Sequence, residues 1–296
     1  MTASIPQPLL DHLTQLMGAR PKAQAAGASG GCINQGAVIK VDGQRLFLKW
    51  NHDAPARLFE LEARGLELLR STEAIAVPKP LHWAEADGPI PAHLIMEHVA
   101  PPTTGFDREG FGRSFGRALA TMHRQCAERY GLEDNNYIGT LTQSNTWTGT
   151  WLEFFKQERL MPQRDLAART GRLRTKHLDK LDALLARLGE LIPEDPGASL
   201  LHGDLWSGNY MIGAQGQPVI IDPAVYHGHR EMELAFTELF GGFPRSFYDA
   251  YRESWPLEPG HETRRALYNV YPLLVHVNLF GGGYVKQLMG NVERYL

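Results

Sequence analysis

The sequence predicts an α+β protein in which a small antiparallel β-sheet lobe precedes a mostly α-helical lobe. Glycine-broken apolar stretches fill much of the first hundred residues, whereas helical leucine spacing dominates after Pro101-Pro102. The length of 296 residues suits two lobes, because single hydrophobic cores stop growing near about 250–300 residues. We therefore expect a first lobe over residues 1–98 and a second lobe over residues 99–296.

The elements of the first lobe follow from local patterns. An amphipathic helix opens the chain, because apolar residues recur at helical spacing over residues 9–17. Residues 37–41 and 45–50 predict two strands around Asp42-Gly43, a dipeptide suited to two-residue hairpin turns. Leucines at helical spacing predict one helix over residues 57–70. Two short strands then complete the sheet, at residues 81–83 and 93–96.

The second lobe is predicted to be mostly helical. Helices are expected at three places: residues 111–129, residues 151–159 and a leucine stripe over residues 178–191. Between them and the C-terminal part lies the segment 200–223, which holds two short β-type stretches, residues 210–212 and 219–221. This segment therefore predicts a loop followed by a hairpin.

Composition narrows the classes of partner. A formal net charge of −3 and a pI near 6.5 indicate no general attraction for nucleic acid or for an anionic membrane. No window approaches the ~18 uninterrupted apolar residues of a membrane span, and no basic stretch leads into an apolar run at the start. With only Cys32 and Cys126, neither a disulfide framework nor a zinc quartet is expected. We predict a cytoplasmic protein that acts on a small molecule.

The strongest motif is HGDLWSGN at residues 202–209, followed by Asp222 after the predicted hairpin. In protein-kinase-like phosphoryl transfer, H-x-D-x-x-x-x-N places a carboxylate at the acceptor hydroxyl and an amide oxygen on magnesium, and a later aspartate completes the metal site. The spacing therefore predicts a protein-kinase-like bilobal fold. Asp204 is the predicted catalytic base, and Asn209 and Asp222 are the predicted magnesium ligands.

Two other interpretations compete for this segment. Its polar residues are of a kind that often caps turns, although an eight-residue match followed by Asp222 exceeds what a turn requires. A metal hydrolase is the second alternative, because nitrogen and oxygen ligands of a divalent ion are available at His202, Asp204, Asp222, His227 and His229. That alternative leaves Asn209 and the whole first lobe without a role.

A glycine-rich loop, residues 27–36, precedes the first hairpin. Backbone amides in such a loop can approach phosphate closely. The loop departs from G-x-G-x-x-G, so its position between two strands carries the prediction. We predict ATP as the phosphoryl donor, with nucleotide contacts from Gly30, Gly31, Cys32 and Asn34.

Lys49, on the strand after the Asp42-Gly43 turn, is predicted to contact the α- and β-phosphates, with Glu62 on the next helix holding it. Lys40 competes for this role but lies on the strand before the turn. Glu60 competes with Glu62, and helix phase does not separate the two glutamates.

The lobe junction offers a place for the adenine. Residues 94–99 lead from a strand into Pro101-Pro102. Backbone groups of Glu97 and Val99 are predicted to hydrogen-bond to the base, and an ordinary strand end is the alternative.

Three segments together resemble the fructosamine (ketosamine-3-) kinases: HGDLWSGN at 202–209, GGCIN at 30–34, and NNYIGT with NTW between residues 135 and 147. The likeness runs nearly end to end. The catalytic loop alone also fits aminoglycoside and choline kinases, whereas the third segment is more selective. The resemblance implies transfer of the ATP γ-phosphoryl group to the 3-hydroxyl of a ketoamine, protein-bound or free, and thereby deglycation. The alternatives are a kinase for another small hydroxylated amine and a catalytically silent nucleotide-binding module.

The resemblance also implies roles for individual residues. Trp206 is expected to stack on the sugar, with core filling as the alternative, and His202 is assigned to the same substrate side. Residues 135–151 and 229–233 are expected to line or brace the acceptor side. Cys32 is expected to be a redox-sensitive thiol that can link two chains, in a protein that is otherwise a monomer or a homodimer.

Overall fold

The structure, a computed structural model, describes residues 4–24, 34–103 and 105–296. The chain divides into two compact units. The first unit comprises Met1–Phe106 with Tyr210–Asp222, and the second comprises Asp107–Asn209 with Pro223–Leu296. The hairpin that follows the HGDLWSGN segment therefore belongs to the first unit, although about a hundred residues separate it from the rest of that unit. The boundary at residue 98 stays a prediction.

Strands in the described ranges are numbered in chain order. They are β1 (Lys22–Gln24), β2 (Gln35–Val41), β3 (Gln44–Asn51), β4 (Pro80–Ala84), β5 (Ala92–Glu97), β6 (Cys126–Ala127), β7 (Asn136–Ile138), β8 (Leu141–Gln143), β9 (Ala198–Leu201), β10 (Tyr210–Ile212), β11 (Pro218–Ile220) and β12 (Tyr226–Gly228).

The α-helices are numbered in the same way. They are α1 (Gln7–Met17), α2 (Leu58–Ser71), α3 (Arg108–His123), α4 (Trp151–Phe154), α5 (Met161–Arg169), α6 (Thr175–Leu191), α7 (Arg230–Leu239), α8 (Arg245–Ser254), α9 (His261–Tyr268), α10 (Val270–Phe280) and α11 (Val285–Val292). A π-helical segment, Phe155–Leu160, joins α4 to α5. In the described part of the chain, no helix combines the length and apolarity needed to cross a membrane.

The first unit is built on an antiparallel sheet with the strand order β1-β2-β3-β5-β4. Asp42 and Gly43 form the two-residue turn between β2 and β3, with φ values of 47° and 86°, as a tight hairpin requires. Along β3, Leu48 and Trp50 share one face and pack in a cluster with Leu9 of α1. Because side chains alternate across a strand, Lys49 lies on the opposite face.

The second unit is mainly helical and has a large aromatic and aliphatic core. Its small sheet has the order β12-β9-β6, and every residue of β9 is buried. Strand β9 is thus a rigid support immediately before His202. An antiparallel sheet in one unit and helices in the other confirm the α+β prediction.

Two predicted helix ends were wrong. The helix expected over residues 111–129 ends at His123, because Cys126 and Ala127 pair with β9 as strand β6 and Gln125 accepts a hydrogen bond from Leu200 N–H. The helix expected over residues 151–159 continues through the π-helical segment into α5. Pairing with strand β9 ends the first of these helices, and burial of side chains in the π-helical segment accompanies the extension of the second.

Candidate active site

Lys49 stands at the centre of a buried charge cluster in the first unit. Its Nζ lies 2.7 Å from Glu62 Oε1 and 2.9 Å from Asp222 Oδ1. Of the two glutamates that competed for this pair, Glu62 makes the contact, whereas Glu60 pairs with Arg57 and Arg64 along its own helix. The alternative lysine, Lys40, is exposed.

The environment keeps the ammonium group of Lys49 charged. Burial by itself would lower the pKa of Lys49, but the carboxylates of Asp222 and Glu62 raise it above its ordinary value. Burial raises the pKa of Glu62 against the opposing influence of Lys49. The result is a fixed cation with carboxylates on two sides, the arrangement that phosphoryl-transfer enzymes use to orient phosphates.

Asp222 has an unusual backbone. Its φ of 55° lies in the left-handed region, which is uncommon outside glycine and often marks functional sites. It follows strand β11, which pairs with β10 in a hairpin of the first unit. This hairpin is joined to the rest of the unit by Ile220 N–H, which donates to Ala76 O at 3.0 Å. The hairpin therefore positions Asp222 next to Lys49.

The HGDLWSGN loop of the second unit begins where strand β9 ends. Asn209 Nδ2 donates to the Asp204 carbonyl oxygen and to Asp204 Oδ2, both at 2.8 Å. The loop thereby holds its own carboxylate in place. Since the amide nitrogen of Asn209 is engaged with Asp204, the amide oxygen is the atom suited to a metal ion.

Glu233, on α7, binds the backbone of this loop. Its carboxylate accepts the N–H of Gly203 at 2.7 Å and the N–H of His202 at 3.1 Å, and it lies 2.8 Å from His123 Nε2. Burial alone would raise the pKa of Glu233, but the hydrogen bond and charge of His123 outweigh it, with help from His202 and Gly203, and the net pKa is lowered. Sequence reasoning placed this residue only within a bracing segment and gave it no role of its own.

Gly203 must be a glycine. Its φ is 84°, and a Cβ there would lie 1.9 Å from the carbonyl oxygen of Ala224. The same carbonyl accepts a hydrogen bond from Gln143 Nε2 at 2.9 Å. The close approach of the backbone at Gly203 to the backbone at Ala224 sets the position of the next residue, Asp204.

A cleft within the second unit contains Asp204 and encloses about 360 Å³ of space, part of it open to solvent. Its wall is largely apolar and aromatic, and it includes Phe236, Tyr271 and His276. A larger cleft of about 450 Å³ lies elsewhere in the same unit, around Tyr248 and Glu231; Glu231 belongs to the segment 229–233, but no residue with a predicted catalytic, nucleotide, metal or individual substrate role lines this cleft. The chemistry therefore favours the cleft at Asp204.

Trp206 is 37% exposed, and its ring meets that of Phe240 edge to face at 6.2 Å. Core filling, the alternative for Trp206, does not describe a side chain this exposed. His202, in contrast, is fully buried, and its Nδ1 accepts the N–H of Asp204 at 3.3 Å. This geometry gives His202 a positioning role, and its predicted substrate contact stays a prediction.

The remaining predicted nucleotide contacts have different outcomes. Gly30, Gly31 and Cys32 lie outside the described residues, and so does the predicted redox link. Asn34 accepts a hydrogen bond from Asn51 Nδ2 at 3.0 Å. The N–H of Glu97 donates to the carbonyl oxygen of Lys79 at 3.0 Å. Val99 follows β5 in irregular structure and is half-buried.

Comparison with known proteins places the chain in a family. A sequence model of fructosamine kinase matches residues 6–296. The chain belongs to the fructosamine kinase family. A Synechocystis relative named as a probable ketoamine kinase is 39% identical over 278 residues, 90% of this chain and 88% of the relative. A chloroplastic protein-ribulosamine 3-kinase of Arabidopsis thaliana is 38% identical over 276 residues, 90% of this chain and 81% of the relative.

A solved structure agrees with this assignment. The crystal structure of a Thermobifida fusca protein assigned as a fructosamine-3-kinase superposes with a TM-score of 0.84 at 32% identity, covering 98% of each chain. The family-selective segment between residues 135 and 147, for which the sequence indicates no individual roles, has a structural role in this chain. Asn136 Nδ2 donates to the carbonyl oxygen of Val225 at 2.9 Å, and Asn136 Oδ1 accepts from Gln143 at 2.8 Å and from Asn145 at 2.9 Å.

Arg159 completes this buried polar network. Its guanidinium donates to Asn145 Oδ1 at 2.8 Å and lies 3.9 Å from the centre of the Tyr226 ring. The side chain is fully buried and comes from the π-helical segment. No sequence pattern marked this arginine, because it stands at the end of the helix expected over residues 151–159 and its neighbours in sequence give no sign that it is buried.

The metal-hydrolase alternative loses its extra ligands. His229 Nδ1 lies 2.8 Å from Tyr268 Oη, and the His227 ring stacks with Trp147 at 5.9 Å. Both histidines belong to packing within the second unit.

Proposed function

We propose that this chain is an ATP- and magnesium-dependent kinase that phosphorylates the 3-hydroxyl group of ketoamines, through Asp204 as the catalytic base. The observation that carries the proposal is the fixed carboxylate of Asp204, which Asn209 holds at 2.8 Å inside a cleft of the second unit. Membership of the fructosamine kinase family supports the acceptor class. The name of the Arabidopsis relative supports the 3-position of a ketoamine as the site of phosphorylation.

The chemistry assigned to Asp204 is proton acceptance. As the 3-hydroxyl oxygen forms its bond to the γ-phosphorus, Asp204 takes the hydroxyl proton and the bond from the γ-phosphorus to the bridging oxygen breaks, releasing ADP. General-base assistance of this kind contributes roughly 10²–10⁴-fold. The two hydrogen bonds from Asn209 and the grip of Glu233 on the loop keep the carboxylate positioned for this step.

The first unit is assigned to the nucleotide. Lys49, kept charged by its two carboxylates, would contact the α- and β-phosphates. Because the N–H of Glu97 is engaged with Lys79, the adenine contact falls to the carbonyl oxygen of Glu97 and a backbone group of Val99. Magnesium, when bound, would neutralise phosphate charge, and the amide oxygen of Asn209 and the carboxylate of Asp222 are each hard oxygen ligands of the kind that such an ion takes.

The acceptor side is assigned to the aromatic residues near Asp204. Trp206 presents a partly exposed ring, Phe240 is equally exposed, and His276 lies 4.9 Å from the Phe240 ring. Flat aromatic faces beside a cleft suit the apolar face of a sugar, and the indole nitrogen offers a donor for a hydroxyl group.

Kinase assays on a panel of acceptors test the proposal. The purified protein is incubated with ATP and magnesium and, in separate reactions, with lysine-linked ketoamines of fructose, ribulose and erythrulose, free and protein-bound, and with an aminoglycoside and choline. ADP release and product mass are followed, and mass fragmentation locates the phosphate on the sugar. We expect a 3-phosphorylated ketoamine, and the preferred acceptor identifies the sugar and the carrier of the amine.

Asp204→Asn is the decisive variant. Asp182→Asn is its control, because Asp182, on α6, is exposed and pairs with Arg164 of α5. We expect the first to lower kcat by at least about 10²-fold and the second to leave it unchanged. Turnover of only the aminoglycoside or choline would replace the acceptor class, and full activity of Asp204→Asn would overturn the assigned base.

A further inference from the structure

Three histidines of the first unit converge away from the Lys49 cluster. His12 comes from α1, His82 from β4 and His93 from β5, and one ligand atom of each lies within 4.8 Å of those of the other two. The rings of His12 and His93 are 5.3 Å apart, and those of His82 and His93 are 5.6 Å apart. Neither the proposed phosphoryl transfer nor the family-selective motifs use these residues.

Strand register brings them together. His93 alternates with Ile95 along β5, so both residues lie on the face of the sheet that α1 covers. His82 pairs with Ile95 across β4 and β5 and therefore shares that face. His12 is adjacent to Leu13, which α1 buries against the same face. Lys49 lies on the other face, so the two sites are separate.

The ring nitrogens are arranged as ligands without a partner. Among the described residues, the buried Nε2 atoms of His12, His82 and His93 have no hydrogen-bond partner, which is costly for a desolvated polar atom. His93 is fully buried, and its Nδ1 lies 3.0 Å from the carbonyl oxygen of Pro91. That contact makes Nδ1 the protonated nitrogen and leaves the lone pair on Nε2, the arrangement usual for metal-bound histidine.

Burial also favours the neutral form of two of these rings. It lowers the pKa of His82 and of His93, and the neighbouring histidines lower both further. A neutral imidazole is the form that binds metal.

We propose that His12, His82 and His93 form a binding site for a divalent transition-metal ion, with Zn²⁺ as the best fit. Three imidazole nitrogens with no carboxylate suit zinc, cobalt, nickel or copper and not magnesium or calcium. Nitrogens bound at about 2.0–2.1 Å to a tetrahedral ion lie about 3.4 Å apart, so the side chains close by at most about 1.4 Å around the ion. His12 and His82 are only half-buried, which leaves room for this adjustment and for water as a fourth ligand.

The ion would join α1 to β4 and β5. It ties the first helix of the chain to strands that follow some seventy residues later, and it stabilises the first unit by mass action. The site is therefore structural and independent of the magnesium needed for catalysis.

Cobalt and zinc binding to the full-length, tag-free protein test the proposal. Co²⁺ is titrated while the visible absorption typical of tetrahedral cobalt is recorded, Zn²⁺ then displaces it, and thermal unfolding is measured with and without Zn²⁺. His12→Gln and His82→Gln remove one ligand each at half-buried positions. His52→Gln is the matched control, because His52 is an exposed histidine of the same unit.

We expect one ion per chain, a higher Tm with Zn²⁺ for the wild type and for His52→Gln, and a loss of affinity of at least about 100-fold in the two ligand variants. Thermal unfolding of the metal-free variants verifies that they fold, and either folded variant is sufficient for the comparison. Absence of binding by the wild type at micromolar metal, or equal binding by wild type and folded His82→Gln, would overturn the site. Neither result bears on the kinase assay, which needs only Mg²⁺ and ATP.

Discussion

Replacement of Glu233 by glutamine removes a charge that holds the HGDLWSGN loop and changes the volume of the side chain very little. In the wild type, Oε1 accepts the N–H of Gly203, and Oε2 accepts the N–H of His202 and lies beside His123 Nε2. An amide group offers only one acceptor oxygen, so its nitrogen must face at least one of these donors. The variant loses the fewest contacts when the amide nitrogen faces Gly203 N–H, because the amide oxygen then keeps the place of Oε2 beside His202 and His123.

The magnitude follows from that single broken contact. A hydrogen bond to a charged group is worth roughly 1.5–3 kcal/mol, and a buried donor left without a partner adds to the loss. We therefore expect the free energy of unfolding to fall by about 2–3 kcal/mol. Because Gly203 precedes Asp204, a shift of the loop by about 1 Å would misplace the carboxylate, and kcat should fall about 10²-fold.

Glu231→Gln separates catalysis from stability. Glu231 lies on the same helix with the same 3% exposure, but its two oxygens bind Arg264 at 2.7 and 2.8 Å. We expect a comparable loss of stability in this variant, with kcat within about twofold of the wild type. Urea unfolding followed by circular dichroism and steady-state ADP release at saturating ketoamine measure the two quantities. Equal losses of kcat in both variants, or wild-type kcat in Glu233→Gln, would refute the positioning role.

Three further predictions follow from the same geometry. Glu62→Gln should lower kcat/KM for ATP about tenfold or more because Lys49 loses a buried partner. Glu60→Gln should match the wild type in the same ATP titration, because Glu60 pairs with Arg57 and Arg64 and not with Lys49. Gly203→Ala should lower the free energy of unfolding by about 3 kcal/mol or more, measured by urea titration against Gly149→Ala, where a Cβ meets nothing within 4 Å. Because the pKa of Glu233 is lowered in the folded protein, its ionised carboxylate contributes stability that is fully present above the ordinary glutamate pKa of 4.5 and is lost as the pH falls through the folded-state pKa. The difference in the free energy of unfolding between the wild type and Glu233→Gln should therefore narrow on acidification. A difference independent of pH would contradict the ionised state of this glutamate.

Local chemistry was sufficient for the main elements. The Asp42-Gly43 turn and the alternation along β3 place Lys49 on one face of a hairpin, and both are properties of adjacent residues. The HGDLWSGN segment likewise carries its own geometry, because Asn209 binds Asp204 within the same loop. Predictions of this kind depend on few long-range contacts. The turn and its two strands were confirmed, and the roles of Lys49, Asp204 and Asn209 stay predictions.

Helix ends and single partners depended on distant residues. The helix expected through residue 129 stops at His123, because strand β9, some seventy residues later, pairs with the segment that follows. The choice of Glu62 over Glu60 could not be made from helix phase, since it depends on which face of α2 meets Lys49.

By itself, the sequence determined the fold class and the family and singled out the HGDLWSGN loop with Asp204 and Asn209 as the predicted catalytic site, because these are carried by local patterns and by contiguous motifs. Only the tertiary structure decided that Glu233 holds the loop, that Arg159 is buried in an amide network, and that the histidines of α1, β4 and β5 converge on one point. The physical reason is that these interactions join residues far apart in sequence. A single polar side chain in a helix or strand gives no local sign of whether it will meet water, a backbone amide or a metal ion.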